Sequence, residues 1–424
     1  MGKPQSAERK AKLREGLLSA GFGTYLASTL VSMAAMSIGA AVFLACLAYS
    51  LGGAKPLWDK LKETAREPAM RIYLWLAATL AAACALSLVS GLVFPLGYGG
   101  KSVSIHLGQD LPKLWYLVWP LPLVAGWRAL GEAARVRTLR TWLLFFGLIS
   151  VIGIAQFFTG WPRPQLIPGT THFHATMFLG HHLSTASIWI FPFFICLEGA
   201  RRGGLAERLG LPRGSLATLA ALSATTLMLT WSRTLWVALP AAVLVWAWLS
   251  LPRKVSASVT VALAIAMAAA SQHPVIQQRY ADGYGLMTRM ELWKANLEFL
   301  KQRPVLGVGW RHNNELSGYY LMNLTGSPDV FSGHAHNNVL DFLAGTGGAG
   351  TLAWLAWCVG ILWLLYRPAP PSALRRALLC AWIAFHINGL TQLNFWEGKV
   401  THQMMIAVAL GLAWRDGSGP GESV

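Results

Sequence analysis

Long apolar runs separated by short polar loops repeat from Leu17 to Trp414. Runs of about 17 to 25 such residues are long enough to cross the hydrocarbon core of a bilayer as helices. The alternation with period two that marks a transmembrane barrel is absent. Leu17 to Leu51 contains no charged residue and is too long for a secretory h-region, so no cleaved leader is expected. Both flanks of that stretch are basic, which divides it into a hairpin over about 17–33 and 35–51. Further spans are predicted at about 72–94, 113–130, 141–159, 176–198, 214–231, 235–250, 255–271, 338–365, 377–393 and 400–414.

Charge placement orients these spans. Lys55, Lys60, Lys62, Arg66 and Arg71, then Arg128, Arg135, Arg137 and Arg140, then Arg201, Arg202, Arg208 and Arg213, and finally Arg253, Lys254, Arg367, Arg375, Arg376 and Arg415 all fall on one side. The positive-inside rule makes that side cytoplasmic. The expected fold class is an all-α polytopic membrane protein of about twelve transmembrane helices, with both ends cytoplasmic and one large outward loop that itself contains helices. It divides into 1–271 (nine helices), 272–335 (the loop) and 336–424 (three helices and a short cytoplasmic tail). No sequence repeat supports inverted-repeat transporter symmetry.

Composition agrees. The chain is 54% hydrophobic and 12% charged, with 20 Trp, and its mean hydropathy is +0.45. The net charge of +17 lies mostly in loops between spans, so a nucleic-acid partner is not expected. Cys46, Cys84, Cys196, Cys358 and Cys380 each sit in an apolar run without metal-ligand spacing and read as small buried hydrophobes.

Within 272–335, Leu286, Met290, Trp293, Leu297 and Leu300 recur at helical spacing, and Thr288-Arg289-Met290-Glu291 fits a capping box. Arg289 would then open a helix, where the positive dipole end suits an anion. Pro304 and the Gly307-Val308-Gly309 turn close the unit. His336 stands where this loop enters the next apolar helix, beside Asn337 and Asn338, and a neutral imidazole can take a proton near pH 7. The Gly345-Thr346-Gly347-Gly348-Ala349-Gly350 run leaves room for a neighbouring backbone or a lipid chain. Arg233, in the turn Trp231-Ser232-Arg233-Thr234, lies on the non-cytoplasmic side against the charge bias; an arginine so placed is costly and points to a task. Arg311 and, more weakly, Arg303 lie in the same outward region. His172, His174, His181 and His182 lie in another outward segment, with no role assigned by the sequence. Asp110, Asp282 and Asp329 stand isolated, and no HExxH, DxD or Cys/His ligand set occurs. Neither a metal nor another cofactor is therefore expected.

His336-Asn337, nine residues, then Gly347-x-x-Gly350 resembles the signature of bacterial O-antigen ligases, a superfamily shared with O-antigen polymerases and protein O-oligosaccharyltransferases. Arg289…Leu292-Trp293…Pro304…Gly307-Val308-Gly309 resembles that family's large periplasmic loop, and Ser232-Arg233 is similar to its functional arginine between two membrane helices. The resemblance covers about residues 215–414. It implies an inverting, metal-independent glycosyltransferase of the bacterial inner membrane with a periplasmic site. Such an enzyme moves O-antigen glycan from undecaprenyl diphosphate to lipid A–core oligosaccharide in lipopolysaccharide biosynthesis. On that reading His336 is the catalytic base, Arg233, Arg289 and Arg311 bind the diphosphate, Asn337 positions the acceptor or the imidazole, and Gly347 and Gly350 are the motif glycines. A polymerase would use a second undecaprenyl-linked glycan as acceptor, and a protein oligosaccharyltransferase a Ser or Thr. The latter are commonly longer, and this sequence stops shortly after Trp414, which favours the ligase. A flippase for an anionic lipid would also want intramembrane arginines, but no base at the rim.

Overall fold

The computed structural model describes residues 3–274, 276–277, 284–327, 332–367 and 370–414. Helices dominate. In chain order they are α1 (Lys3–Ser28), α2 (Met33–Leu51), α3 (Ala54–Arg66), α4 (Pro68–Val93), α5 (Leu107–Asp110), a 3-10 helix (Leu111–Val118), α6 (Pro120–Ala129), α7 (Glu132–Thr159), α8 (His182–Ala200), α9 (Leu205–Leu209), α10 (Arg213–Leu229), α11 (Leu235–Ser250), α12 (Arg253–Ser271), α13 (Tyr284–Gln302), α14 (Asn313–Thr325), α15 (Asn338–Tyr366), α16 (Ala373–Asn388) and α17 (Gly398–Ala413). Among the described residues the strands are a two-residue pair, β1 (Gly97–Tyr98) and β2 (Lys101–Ser102), in antiparallel register.

Each predicted span overlaps a helix, but not over its whole length: α8 begins only at His182 within 176–198, and α16 ends at Asn388 within 377–393. Among the described residues six helices, α2, α4, α7, α8, α12 and α15, are long and apolar enough to cross a membrane. The uncharged stretch after Leu17 does break into two helices. Thr29 to Val31 turn the chain, and Ser32 caps α2 by accepting the Ala35 N–H at 3.1 Å. The 113–130 segment is divided at Trp119 between the 3-10 helix and α6, where Pro120 and Pro122 cannot donate to a regular ladder.

Two helices form the centre. α8 is buried on nearly every face, and every residue of α17 from Val400 to Ala413 is buried. A helix apolar all round belongs inside a bundle rather than at its rim. α8 packs against α10 and α16 and α17 packs against α6 and α8, while α4 lies along α15. The carboxylate of Glu198, near the end of α8, is wholly buried. It accepts from Arg201 (3.0 Å), Trp246 (2.8 Å) and Arg376 (2.5 Å), tying α8, α11 and α16 together. Removing one cation from such a pair would strand a buried charge. α12, by contrast, packs mainly on α11 and shows most of its surface. Four of the five cysteines are buried and Cys46 is half-buried, all as free thiols.

Three expectations for the polar loops are not met. α13 starts at Tyr284, so Thr288 lies a turn inside it and the capping box does not form. The buried face of α13 is Leu292, Ala295, Asn296 and Phe299, whereas Met290 and Leu297 of the predicted stripe are exposed. Ala295 and Phe299 of that face join a separate small core with Val308, Leu316, Ala344 and the rings of Tyr98 and Tyr320. Asp110 is not isolated: it pairs with Lys113 at 2.7 Å and with His312 at 2.9 Å. Asp282, Asp329 and Arg415 lie outside the described residues.

Candidate active site

α15 is two helices joined at a break. Gly347 has φ 64° and ψ −168° inside it, a backbone region open essentially to glycine alone. Breaking a helix frees carbonyls before the break and N–H groups after it. The segment 304–309 satisfies both sets: Val308 N donates to Ala344 O (3.0 Å) and Gly309 N to Gly345 O (3.0 Å), while Gly348 N donates to Pro304 O (2.8 Å) and Ala349 N to Val305 O (3.1 Å). The fit requires bare backbone on both sides. A Cβ on Gly347 would sit 2.4 Å from Val305 C and O, and one on Gly307 2.5 Å from Gly345 C. The glycine run is therefore filled by protein backbone. The room for a lipid chain that its small residues suggested is taken. The same docking fixes the chain that continues through Trp310 to Arg311.

At its start, α15 is capped by Asn337, whose Oδ1 accepts from Val339 N (2.9 Å) and Leu340 N (3.1 Å). That oxygen is committed to the helix, so the local role of Asn337 is to fix where the helix begins after His336. Asn338 clamps this start to a distant loop: its N–H reaches Gly389 O (2.8 Å), its Nδ2 donates to Asn394 Oδ1 (2.7 Å), and its Oδ1 accepts from Asn394 N (3.1 Å). α16 ends at Asn388, before the expected limit near 393, and the freed loop Gly389–Glu397 becomes a wall of the site. Its Thr391 hydroxyl meets the hydroxyl of Thr234, next to Arg233. One loop thus touches both the His336 segment and the Arg233 turn.

Between these parts lies a cavity of about 410 Å³ lined by polar and charged side chains, chief among them His181, His334, Arg311, Gln392, Glu397 and Lys399, with Trp396 as an aromatic wall. Trp396 stands edge-on to Trp310 at 4.8 Å, and the Arg311 guanidinium lies 5.7 Å from the Trp310 ring. His336 packs on His334, with ring centres 4.1 Å apart. Arg289, from the second turn of α13, is close enough to disfavour a charge on either imidazole. Arg233 is half-buried and is not part of the cavity lining; its link to the site runs through Thr234 and Thr391.

Backbone strain marks the same places. Among the described residues, the non-glycine residues with positive φ are Met177, Trp231 (61°), Arg311 (68°) and His336 (48°). Two are expected site residues and a third stands two positions before Arg233. Conformations of this kind persist only where the surroundings enforce them, and they gather at functional sites.

The imidazoles are neutral at physiological pH. Burial, then His334, Arg289 and His181, push the His336 pKa down to about 3. Burial, His181 and Arg289 push that of His334 down to about 4. Because the unfolded chain binds these protons near pH 6.5 and the folded chain does not, stability is greatest above that pH and falls as acid is added. The expected result is a melting temperature that drops steadily from pH 7 to pH 4, with a shallower drop in His334→Gln; equal slopes would remove this residue from the titration.

Of the histidines that the sequence left without a role, His181 lines the cavity. His182 stacks behind it on His174, ring centres 4.1 Å apart, and the Nδ1 of His174 lies 2.9 Å from Thr230 O. His172 stacks on Phe157 at 4.6 Å, away from that cavity. Sequence reasoning missed Asn314, Gln392, Trp396, Glu397 and Lys399. The polar run from Thr391 to Lys399, set between two apolar helices, was the available signal. Among the described residues no three His, Cys, Asp or Glu side chains group together in a way that could hold a metal ion.

Residues 218–355 match the family model described as O-antigen ligase. The match runs from within α10 to the second half of α15 and contains Arg233, Arg289, Arg311, His336, Gly347 and Gly350. It supports the resemblance drawn from the His336-Asn337 and Gly347-x-x-Gly350 motif. The segment docked into the split helix and most of that helix fall within the matched residues, whereas His181 and the 389–399 wall lie outside them. No curated protein matches the chain.

Proposed function

We propose that this chain is an O-antigen ligase: an inverting glycosyltransferase of the bacterial inner membrane that moves glycan from undecaprenyl diphosphate to a hydroxyl of lipid A–core oligosaccharide at the periplasmic face. The observation that carries the reading is a grouping within the family-matched stretch: His334 and Arg311 line one polar cavity, His336 packs on His334 without lining the cavity itself, and Arg289 lies near both imidazoles. The outward placement of 272–335 and the count of twelve spans are part of the proposal. Basic loops confined to one side support them.

The chemistry follows from the charges. The donor already carries a good leaving group, and negative charge builds on its diphosphate oxygens as the bond to the sugar breaks. Guanidinium groups aimed at those oxygens stabilise that charge without a metal. The acceptor hydroxyl attacks the opposite face of the sugar, giving inversion, and loses its proton to His336. Arg289 and Arg311 bind the diphosphate beside the imidazoles. Arg233 does so from the turn that meets the Gly389–Glu397 loop. Holding two lipid-borne reactants in one cavity supplies much of the remaining acceleration.

The test is a reconstituted assay with purified protein and lipid-linked glycan, offered in parallel lipid A–core, a second lipid-linked glycan, or a Ser/Thr-containing peptide, each with and without EDTA. Product is expected on lipid A–core alone and is expected to survive chelation. Product on the second glycan alone would make the protein a polymerase, and loss with EDTA would restore a metal. Arg233→Ala, Arg289→Ala and Arg311→Ala are each expected to lower turnover about a hundredfold, the effect of losing one donor to developing charge. A variant with wild-type turnover leaves the site.

A further inference from the structure

The second imidazole on the cavity wall has a carboxylate behind it. Ser184 has one hydroxyl proton and donates it to Glu397 Oε1. Its oxygen therefore accepts from His181 Nδ1, 3.1 Å away. That fixes His181 as the Nδ1–H tautomer, with a lone pair on Nε2. The Nδ1 of His334 accepts the backbone N–H of His336 at 3.2 Å, so neutral His334 carries its proton on Nε2. Both rings line the same cavity, together with Trp396, Asn314 and Gln392. The site thus offers one imidazole that accepts and one that donates.

A sugar hydroxyl is the ligand group that can use both, because it donates one proton and accepts through its oxygen. A phosphate oxygen cannot: it has no proton for the His181 lone pair, and Glu397 repels it. We infer that His181 and His334 hold a hydroxyl of the acceptor sugar beside the one that attacks, with Ser184 and Glu397 setting the polarity of the clamp. This inference rests on the transferase reading and names the part of the cavity that takes the acceptor. The cations facing this end are Arg311, Lys399 and, behind the imidazoles, Arg289. Lys399 already donates to Leu179 O at 2.7 Å. Trp396 supplies an apolar face of the kind on which a sugar ring can rest. His181 and His334 are binding residues here, while Ser184 and Glu397 act through His181.

The informative variant is Glu397→Gln, which keeps shape and reverses direction. The clamp predicts that the new amide N–H turns toward Ser184, Ser184 then donates to His181 Nδ1, and the His181 proton moves to Nε2. A proton that stays on Nδ1 would show that Glu397 does not set the polarity and would overturn the clamp. Two donors now face the hydroxyl. Protein in nanodiscs would be titrated with lipid A–core lacking O-antigen, and the His181 tautomer read from nitrogen-15 shifts of labelled histidine. The expected result is a tautomer switch together with an affinity loss of about tenfold, the equivalent of one hydrogen bond lost to a mispaired group. His181→Asn is expected to weaken binding without involving Glu397. Unchanged affinity in a tautomer-switched Glu397→Gln protein overturns the clamp, as does wild-type protein that does not bind the lipid. Wild-type protein that binds, loses binding in these variants and yet transfers no glycan leaves the clamp standing and removes the transferase reading instead.

Discussion

His336→Asn is expected to lower glycan transfer by about a hundredfold to ten-thousandfold, the range associated with losing a positioned general base. Asparagine is the better replacement because His336 holds a positive φ of 48°, which Asn tolerates more readily than most residues. A fall in activity at normal protein level then reports chemistry rather than a disturbed turn. The pH dependence sharpens the expectation. The free-enzyme pKa is pushed down to about 3, so kcat/KM, which reports free enzyme, should show no histidine-type acid limb between pH 8 and pH 5. Bound diphosphate adds negative charge beside the imidazole and raises its pKa, so kcat should acquire an acid limb at higher pH than kcat/KM does. Both profiles would be measured with the lipid-linked donor. Coincident limbs near pH 6.5 would mean that the imidazole cluster is solvated and uncoupled, and transfer by His336→Asn at the wild-type rate would end its assignment as base.

Gly347→Ala is expected to destabilise the protein and to reduce turnover with it. The backbone conformation costs a non-glycine residue on the order of 1–3 kcal/mol. The added methyl also lies 2.4 Å from the carbonyl of Val305, so segment 304–309 must undock. That releases four backbone hydrogen bonds and shifts the chain leading to Arg311. Gly348→Ala is the internal control, since its Cβ would meet nothing nearer than Pro304 O at 3.5 Å, an ordinary contact. A thermal-denaturation series in detergent should therefore show a clear loss for Gly347→Ala and little for Gly348→Ala. Equal melting temperatures would show that the break in α15 does not need glycine.

Much of this was legible in the sequence for definite physical reasons. Apolar runs fix helices because backbone polar groups in lipid must pair internally, and each expected span overlaps a helix, though the ends near 176 and 393 are loop. Arg289 was singled out by a helix-start signal that does not form, although it does lie near the imidazoles. His336 and Arg311 were singled out as a titratable group at a helix mouth and a cation on the unfavoured side. Arg233 was singled out by the same reasoning and lies one contact removed from the cavity. What stayed hidden depended on partners far away in the chain. The buried face of α13 is chosen by Tyr98, Tyr320 and Val308, which receive Phe299, rather than by the apolar stripe of α13 itself. Glu397 and His181 meet through Ser184 across a long sequence separation, and no local spacing announces that meeting. The glycine run was correctly recognised as a place of close approach, but whether lipid or backbone fills it depends on hydrogen bonds that only the folded chain displays.

The loop Gly389–Glu397 also has a bearing on biosynthesis. Its threonine contact and its asparagine clamp join parts of the chain that emerge from the ribosome at very different times. During synthesis the His336 segment precedes the last wall of the cavity. If the proposed transfer reaction holds, a nascent molecule gains it only when its final helix pair is seated, and premature stop products are expected to be inert even though they carry the whole motif.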